Sequence, residues 1–150
     1  MPAVFPPGVA SGTILRHPRF YLERETGQLL PKFMVALAVT HGGDIVFRVL
    51  TSRAHGRPEN PPCSHGAPYP SFYLGVIGGA HLTAKSWLDL RRGDDYDGDA
   101  FRREVSTGDL TEVGQLDRAT LQAAMDCAAA APDTTVAQER ALRDQLSALR

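Results

Sequence analysis

The stretch "PKFMVALAVTHGGDIVFRVLTSR", Pro31 to Arg53, joins two apolar runs at Gly42-Gly43. Phe33–Val39 and Ile45–Thr51 are too short for typical helices, and the second concentrates Val, Ile and Phe. The pair therefore reads as an antiparallel hairpin. If Gly42-Gly43 is a two-residue turn, His41 faces Asp44 and the numbers of every facing pair sum to 85. Lys32 then lies opposite Arg53, and Met34 opposite Thr51. Facing residues share a side of the sheet, so Lys32, Thr51 and Arg53 project together from one end while Ser52 takes the other side. A three-residue turn would break that parity.

A cation beside a hydroxyl at a strand end supplies what a phosphodiester needs, namely charge at phosphorus and a donor to hold an oxygen. The plainer reading is a strand end that reaches solvent, where Lys, Thr and Arg are ordinary. Both readings stand on the residues alone.

On the N-terminal side, "GTILRH" (12–17) reads as a short strand and 16–31 as a long loop with a hairpin tip at Thr26-Gly27. On the C-terminal side, 52–71 is rich in Pro, Gly and Ser. Loops of this length inside a compact domain are uncommon and often functional. Its "GRPENPP" offers few apolar anchors, which predicts a mobile segment. "FYLGVI" (72–77) and "SWLDL" (86–90) are further strands, with Trp87 a core plug, and 91–110 is a polar connection with Gly turns. From Leu116 the period becomes helical. Asp117 is an N-cap, Leu121, Ala124, Met125 and Ala128 form a narrow apolar stripe, and Pro132 ends the helix. A second helix starts near Val136 behind a Thr135/Gln138 capping box, with Leu142, Leu146 and Leu149 on one face. The expected architecture is a single α+β domain, 1–150. It comprises a β-rich body (11–115), as a small barrel or strongly curved antiparallel sheet, and a helical part (116–150).

The 150 residues are enough to bury a core without metal or disulfides. Two cysteines, Cys63 and Cys127, make no disulfide framework. No signal peptide or membrane-length apolar run is visible, so a soluble, cytoplasmic protein with reduced thiols is expected. The net charge of −1 is unevenly spread. Residues 1–92 hold 10 Lys/Arg against 5 Asp/Glu, and residues 93–150 hold 6 against 12. All five histidines fall in the first part. A polyanion would meet that part, unless the charges scatter and cancel over the folded surface.

The order of the pieces "SGTILRHPRF", "LLPKFMVALAV", "DIVFRVLTSR", "SFYLG", "SWLDL" and "VGQLDRATLQAAM" resembles that of the PemK/MazF-type toxins over roughly residues 11–131. That resemblance implies an SH3-like barrel, usually a homodimer, which cuts single-stranded RNA without metal or cofactor. It also implies an antitoxin partner that fills the RNA groove. The family arginine at the start of the second strand falls on Lys32, which keeps the charge but loses the planar fork. The family Thr or Ser at the end of the third strand falls on Thr51, with Ser52 adjacent. His17 sits at the mouth of the first loop, and Arg53 could replace the missing guanidinium. The catalytic set is thus Lys32, Thr51, Arg53 and His17, with Arg16, Arg19, Phe20, Ser52 and His55 contacting RNA. The Lys32 departure leaves open a non-catalytic module that binds RNA or a protein through the same groove.

His55, Cys63, His65 and His41 or His81 supply zinc-ligand types, but the spacing fits no standard finger and no metal is expected. "GDDYDGDAFRRE" places Asp95, Asp97, Gly98 and Glu104 at calcium-loop offsets. Gly93 stands in the first ligand position and no helix enters the loop, so a solvated acidic turn is the reading there.

Overall fold

The structure, a computed structural model, describes residues 4–150. The chain runs β1 (Thr13–Leu22), β2 (Leu29–Val39), β3 (Ile45–Thr51), β4 (Cys63–Ser64), β5 (Ser71–Gly78), β6 (Leu82–Asp89), α1 (Gly98–Thr107), β7 (Thr111–Gln115), α2 (Arg118–Ala130) and α3 (Val136–Leu149). The fold is α+β. One seven-stranded sheet has the order β4-β5-β6-β3-β2-β1-β7, with every pair antiparallel. Its outer strands, β4 and β7, do not pair, so the sheet is not closed into a barrel.

The β2–β3 turn differs from the two-residue form. Thr40 N donates to Asp44 O at 2.8 Å and Gly43 N to Thr40 O at 3.0 Å, leaving His41-Gly42-Gly43 as a three-residue turn. Gly43 has φ +94°, the left-handed conformation that such turns demand of their last residue. Next to the turn, Val39 faces Ile45 and Ala38 faces Val46, a register sum of 84. A bulge at Leu37 then shifts the register, and Ala36↔Phe47, Val35↔Arg48 and Met34↔Val49 sum to 83. The expected facing pairs are therefore off by two, because an extra turn residue and an extra strand residue both intervene. Their parity errors cancel, and Lys32 and Thr51 still share a side.

The two sides of the sheet are covered differently. Ile14, Val35, Leu37, Val46 and Leu50 pack on Leu121, Met125, Leu142 and Leu146 of α2 and α3. Leu15, Met34, Ala36 and Ile45 pack on Phe101 of α1 and on Leu110. The stripe expected on α2 is buried, its Ala124 and Ala128 letting the helix lie close to its neighbours. Asp117 caps α2, and the Thr135/Gln138 capping box is present.

Helix α1 and strand β7 replace what reads in sequence as a polar connection. Asp97 caps α1 by accepting from Ala100 N, Gly108 ends it in the left-handed conformation, and Phe101 is its fully buried anchor. A Cβ on Gly98 would stand 2.1 Å from Gly43 O, so only glycine lets α1 start against the β2–β3 turn. The long loop expected over 16–31 is instead the arms of the β1–β2 hairpin, zipped to Leu22↔Leu29.

The segment between β3 and β5 is tied down, contrary to the expectation of a mobile loop. Trp87 Nε1 donates to Pro58 O (3.0 Å), and Tyr73 N and Leu90 N donate to Pro62 O and Pro70 O. The prolines contribute carbonyl acceptors where apolar anchors are scarce. Cys63 and Cys127 form a disulfide from β4 to α2, with their Cα atoms 5.7 Å apart. The expected reduced thiols are corrected accordingly, since a sequence separation of 64 conceals the contact.

Candidate functional site

His17 faces Lys32 across β1–β2, Thr51 faces Trp87 across β3–β6, and Trp87 faces Tyr73 across β6–β5. Continuing the Met34↔Val49 register by two residues sets Lys32 across from Thr51. Facing residues share a side, so His17, Lys32, Thr51, Trp87 and Tyr73 form one row across five strands.

Strand β3 stops at Thr51, whereas the β1–β2 and β5–β6 hairpins run on past it. The two hairpins flank a notch of about 790 Å³ at that end of the sheet. Lys32, Thr51, Ser52 and Arg53 all line it, together with Arg24, His81 and the acidic Glu23 and Glu25. The expected gathering of Lys32, Thr51 and Arg53 is thus present as geometry, and Ser52 joins them.

The other expected residues are distributed around this notch. His17 turns away from it: its ring lies 5.6 Å from Phe20 and 6.5 Å from Tyr96. Phe20 in turn meets Phe47, and both line a second groove with Arg48, Asp89 and Arg91. His17 Nδ1 accepts from Arg19 N at 3.2 Å, which leaves Nε2 to carry the proton in the neutral ring. As placed, His17 is a donor. Arg16 faces Phe33, so it alternates to the side of the sheet opposite His17. Arg19 is exposed, and His55 is exposed at φ +44° in a turn of the β3–β4 segment. Neither lines the notch.

Two guanidinium groups contact one carboxylate beside the row, and the Lys32 ammonium feels its charge. Arg57, 6% exposed, donates from Nη1 to Arg53 O (2.9 Å), and its Nη2 lies 3.7 Å from Asp89 Oδ2. Arg91 grips Asp89 with Nε and Nη2, at 3.1 and 2.7 Å. Burial alone would raise the Asp89 carboxyl, but the hydrogen bonds from Arg91 and the charges of Arg91 and Arg57 hold it below the usual carboxylate range. Burial pushes the Lys32 ammonium below an ordinary lysine, Asp89 opposes this, and Arg53, Arg57 and Arg91 add to it. Both guanidinium groups sit over Tyr69, Arg91 at 4.4 Å and Arg57 at 5.0 Å from its ring centre. Lys32 Nζ lies 6.0 Å from the Tyr21 ring. Phe20, Tyr21 and Tyr69 are 37%, 42% and 36% exposed, unusual for aromatic rings.

Sequence reasoning missed Arg57, Tyr69, Asp89 and Arg91. The spacing "DLRR" carried a local hint, since Asp89 and Arg91 are two apart at a strand end. Nothing local links Arg57 to Asp89. Also missed is a buried polar set behind the sheet. Arg48 Nη2 donates to Gln138 Oε1 (3.2 Å), and Gln138 Nε2 donates to Asp95 Oδ1 (2.9 Å) and Gly93 O (3.0 Å). Asp95 is thereby part of an internal network, and the acidic segment is a helix N-terminus instead of a calcium loop. Of the histidines weighed as metal ligands, His65 alone groups with Cys63 and Cys127 among the described residues. Among them, too, no helix is long and apolar enough to cross a membrane. No family model, curated protein or solved structure matches the chain.

Proposed function

We propose that the chain is a PemK/MazF-like, metal-independent endoribonuclease that cleaves single-stranded RNA in the notch at the end of β3. The observation that carries this reading is the combination on one face of the sheet. Lys32, Arg53 and Arg91 supply positive charge, while Phe20, Tyr21 and Tyr69 expose aromatic rings beside it. Single-stranded nucleic acid is held by cations tracking its backbone and by aromatic rings stacking its bases, and a duplex would offer no free base faces. A phosphate seated between Lys32 and Arg53 would have Thr51 and Ser52 within the same notch to hold its oxygens. As the 2′-hydroxyl gives its proton to solvent and its oxygen attacks phosphorus, the bond to the 5′-oxygen breaks, and Lys32 and Arg53 stabilise the charge that develops on the phosphorane. A neutral His17 is too weak an acid to protonate the leaving 5′-oxygen, so that role falls to its imidazolium form, with the ring swung towards the notch and the proton regained from solvent. On this reading the open sheet is a relative of the SH3-like barrel, the protein works in the cytoplasm as a homodimer, and an antitoxin silences it by filling the notch.

One observation favours a second reading, a module that binds RNA without cutting it. His17 Nδ1 is occupied by Arg19 N, and no other residue of the row is placed as a base. Labelled single-stranded RNA incubated with the protein in EDTA separates the two. Cleavage to ends bearing a 2′,3′-cyclic phosphate, reduced about 10²- to 10³-fold by Lys32→Ala or Arg53→Ala, supports the nuclease. Salt-sensitive binding with intact RNA supports the binding module. Absence of binding at low salt refutes both.

A further inference from the structure

We propose that Cys63, His65 and Cys127 form a zinc site once the disulfide between the cysteines is reduced. Cys63 lies in β4 and His65 two residues on, and β4 is held against β5 where α2 presents Cys127. His65 Nε2 lies 3.5 Å from Sγ of Cys63 and 3.5 Å from Sγ of Cys127. Zinc bonds of about 2.0 Å to nitrogen and about 2.3 Å to sulfur, at the tetrahedral angle, give nitrogen–sulfur edges of about 3.5 Å. The imidazole is therefore at ligand distance from both sulfurs, and reduction frees the sulfurs to separate to their own edge. Two thiolates and one imidazole select zinc over oxygen-loving cations, and the exposed side of His65 leaves the fourth position to water.

Two features show what metal binding must change. With the disulfide intact, His65 Nε2 is 2.9 Å from Cys127 O and donates its proton there, so the ring must bind zinc in its other tautomer. Ser71, whose carbonyl lies 3.9 Å from Cys127 Sγ, has a buried hydroxyl with no partner. The chemistry balances with a low-molecular-weight thiol as reductant. Two such thiols are oxidised to their disulfide, and their two electrons and two protons convert the Cys63–Cys127 bond into two thiols. Zinc then displaces both protons and its charge is neutralised by the two thiolates. The clamp tying β4 to α2 would thus be covalent when oxidised and metallic when reduced.

The test uses the full chain, reduced with a phosphine that is then removed, and titrated anaerobically with Co²⁺. One equivalent should bind with a thiolate-to-cobalt charge-transfer band, and Zn²⁺ should displace it, while the oxidised chain binds none. His65→Ala, at an exposed position, should weaken binding by more than the roughly 10- to 100-fold typical of losing a supporting residue. His55→Ala should leave it unchanged. Circular dichroism would confirm that each variant is folded. A reduced, folded chain that takes up no cobalt, or equal affinity in wild type and His65→Ala, overturns the proposal.

Discussion

Asp89→Asn should be among the more destabilising single changes in this protein, although it preserves shape. The reason is Arg57, whose side chain is 3% exposed and whose Nη2 has its acidic contact at Asp89, 3.7 Å away. Its Nη1 has one carbonyl, Arg53 O, and its Nε has no partner. Removing the carboxylate charge leaves a buried guanidinium uncompensated, which costs about 3–5 kcal/mol. The contact to Arg91 adds at most about 1 kcal/mol, because that side chain is half exposed. Asparagine can still accept from Arg91 N, which places the expected loss near the lower bound, about 3 kcal/mol. With a urea m-value of about 2 kcal/mol/M, the midpoint should fall by about 1.5 M with m unchanged. Trp87, 2% exposed and the single tryptophan, reports the transition by fluorescence. The pH dependence has a definite sign. Asp89 titrates lower in the folded than in the unfolded chain, so its contribution is present above about pH 3.9 and disappears as pH falls through the lower folded value. Wild type and variant should therefore converge in acid. A loss below about 1 kcal/mol at neutral pH would show that Arg57 does not rely on Asp89 and that the cation cluster is assembled some other way.

Lys32, with its ammonium below an ordinary lysine, loses its charge at a lower pH than a free side chain. RNA affinity measured by fluorescence anisotropy should fall as pH rises through that lowered value, and Lys32→Arg should abolish the fall; equal alkaline losses in both proteins would remove Lys32 from phosphate contact. Gln138→Leu should destabilise by about 2 kcal/mol or more, because Arg48, Asp95 and Gly93 lose buried partners worth about 1–3 kcal/mol when orphaned. Pairing it with Arg48→Met should restore part of that loss in urea titrations, and a double mutant worse than the sum would refute the network.

The sequence was most readable where one physical rule acts alone. The caps at Asp117 and Thr135, the leucines of α3 and the extent of β3 follow from local spacing and needed no tertiary information. Helix α1 was hidden because its burial rests on Phe101, with Val105 partly buried beside it, amid charges that serve its exposed side. Strand β7 was hidden because "TEVGQ" is an edge strand whose pairing with β1 comes from elsewhere in the chain. The notch was legible as a cluster of Lys32, Thr51 and Arg53 on one side, but its cause was not. That cause is the overhang of two hairpins beyond β3. The disulfide and the Arg57–Asp89 contact join distant residues, and no pattern in a single sequence records such pairings.

The three-residue turn and the Leu37 bulge bear on how this hairpin can change length during descent. Thr40 and Asp44 close the turn, so loss of one of its glycines would leave a two-residue turn on the same closing pair. Loss of Leu37 would make Ala36 and Ala38 consecutive opposite Val46 and Phe47, which are consecutive already, and the ladder would become regular. Neither loss changes which residues face each other, so Val35 stays across from Arg48 and the Lys32 end of the hairpin keeps its side. A residue lost from a regularly paired part of β2 or β3 would instead turn every side chain beyond it to the other side. Relatives of this chain should accordingly differ in length at the turn and at the bulge, each independently of the other, and nowhere between.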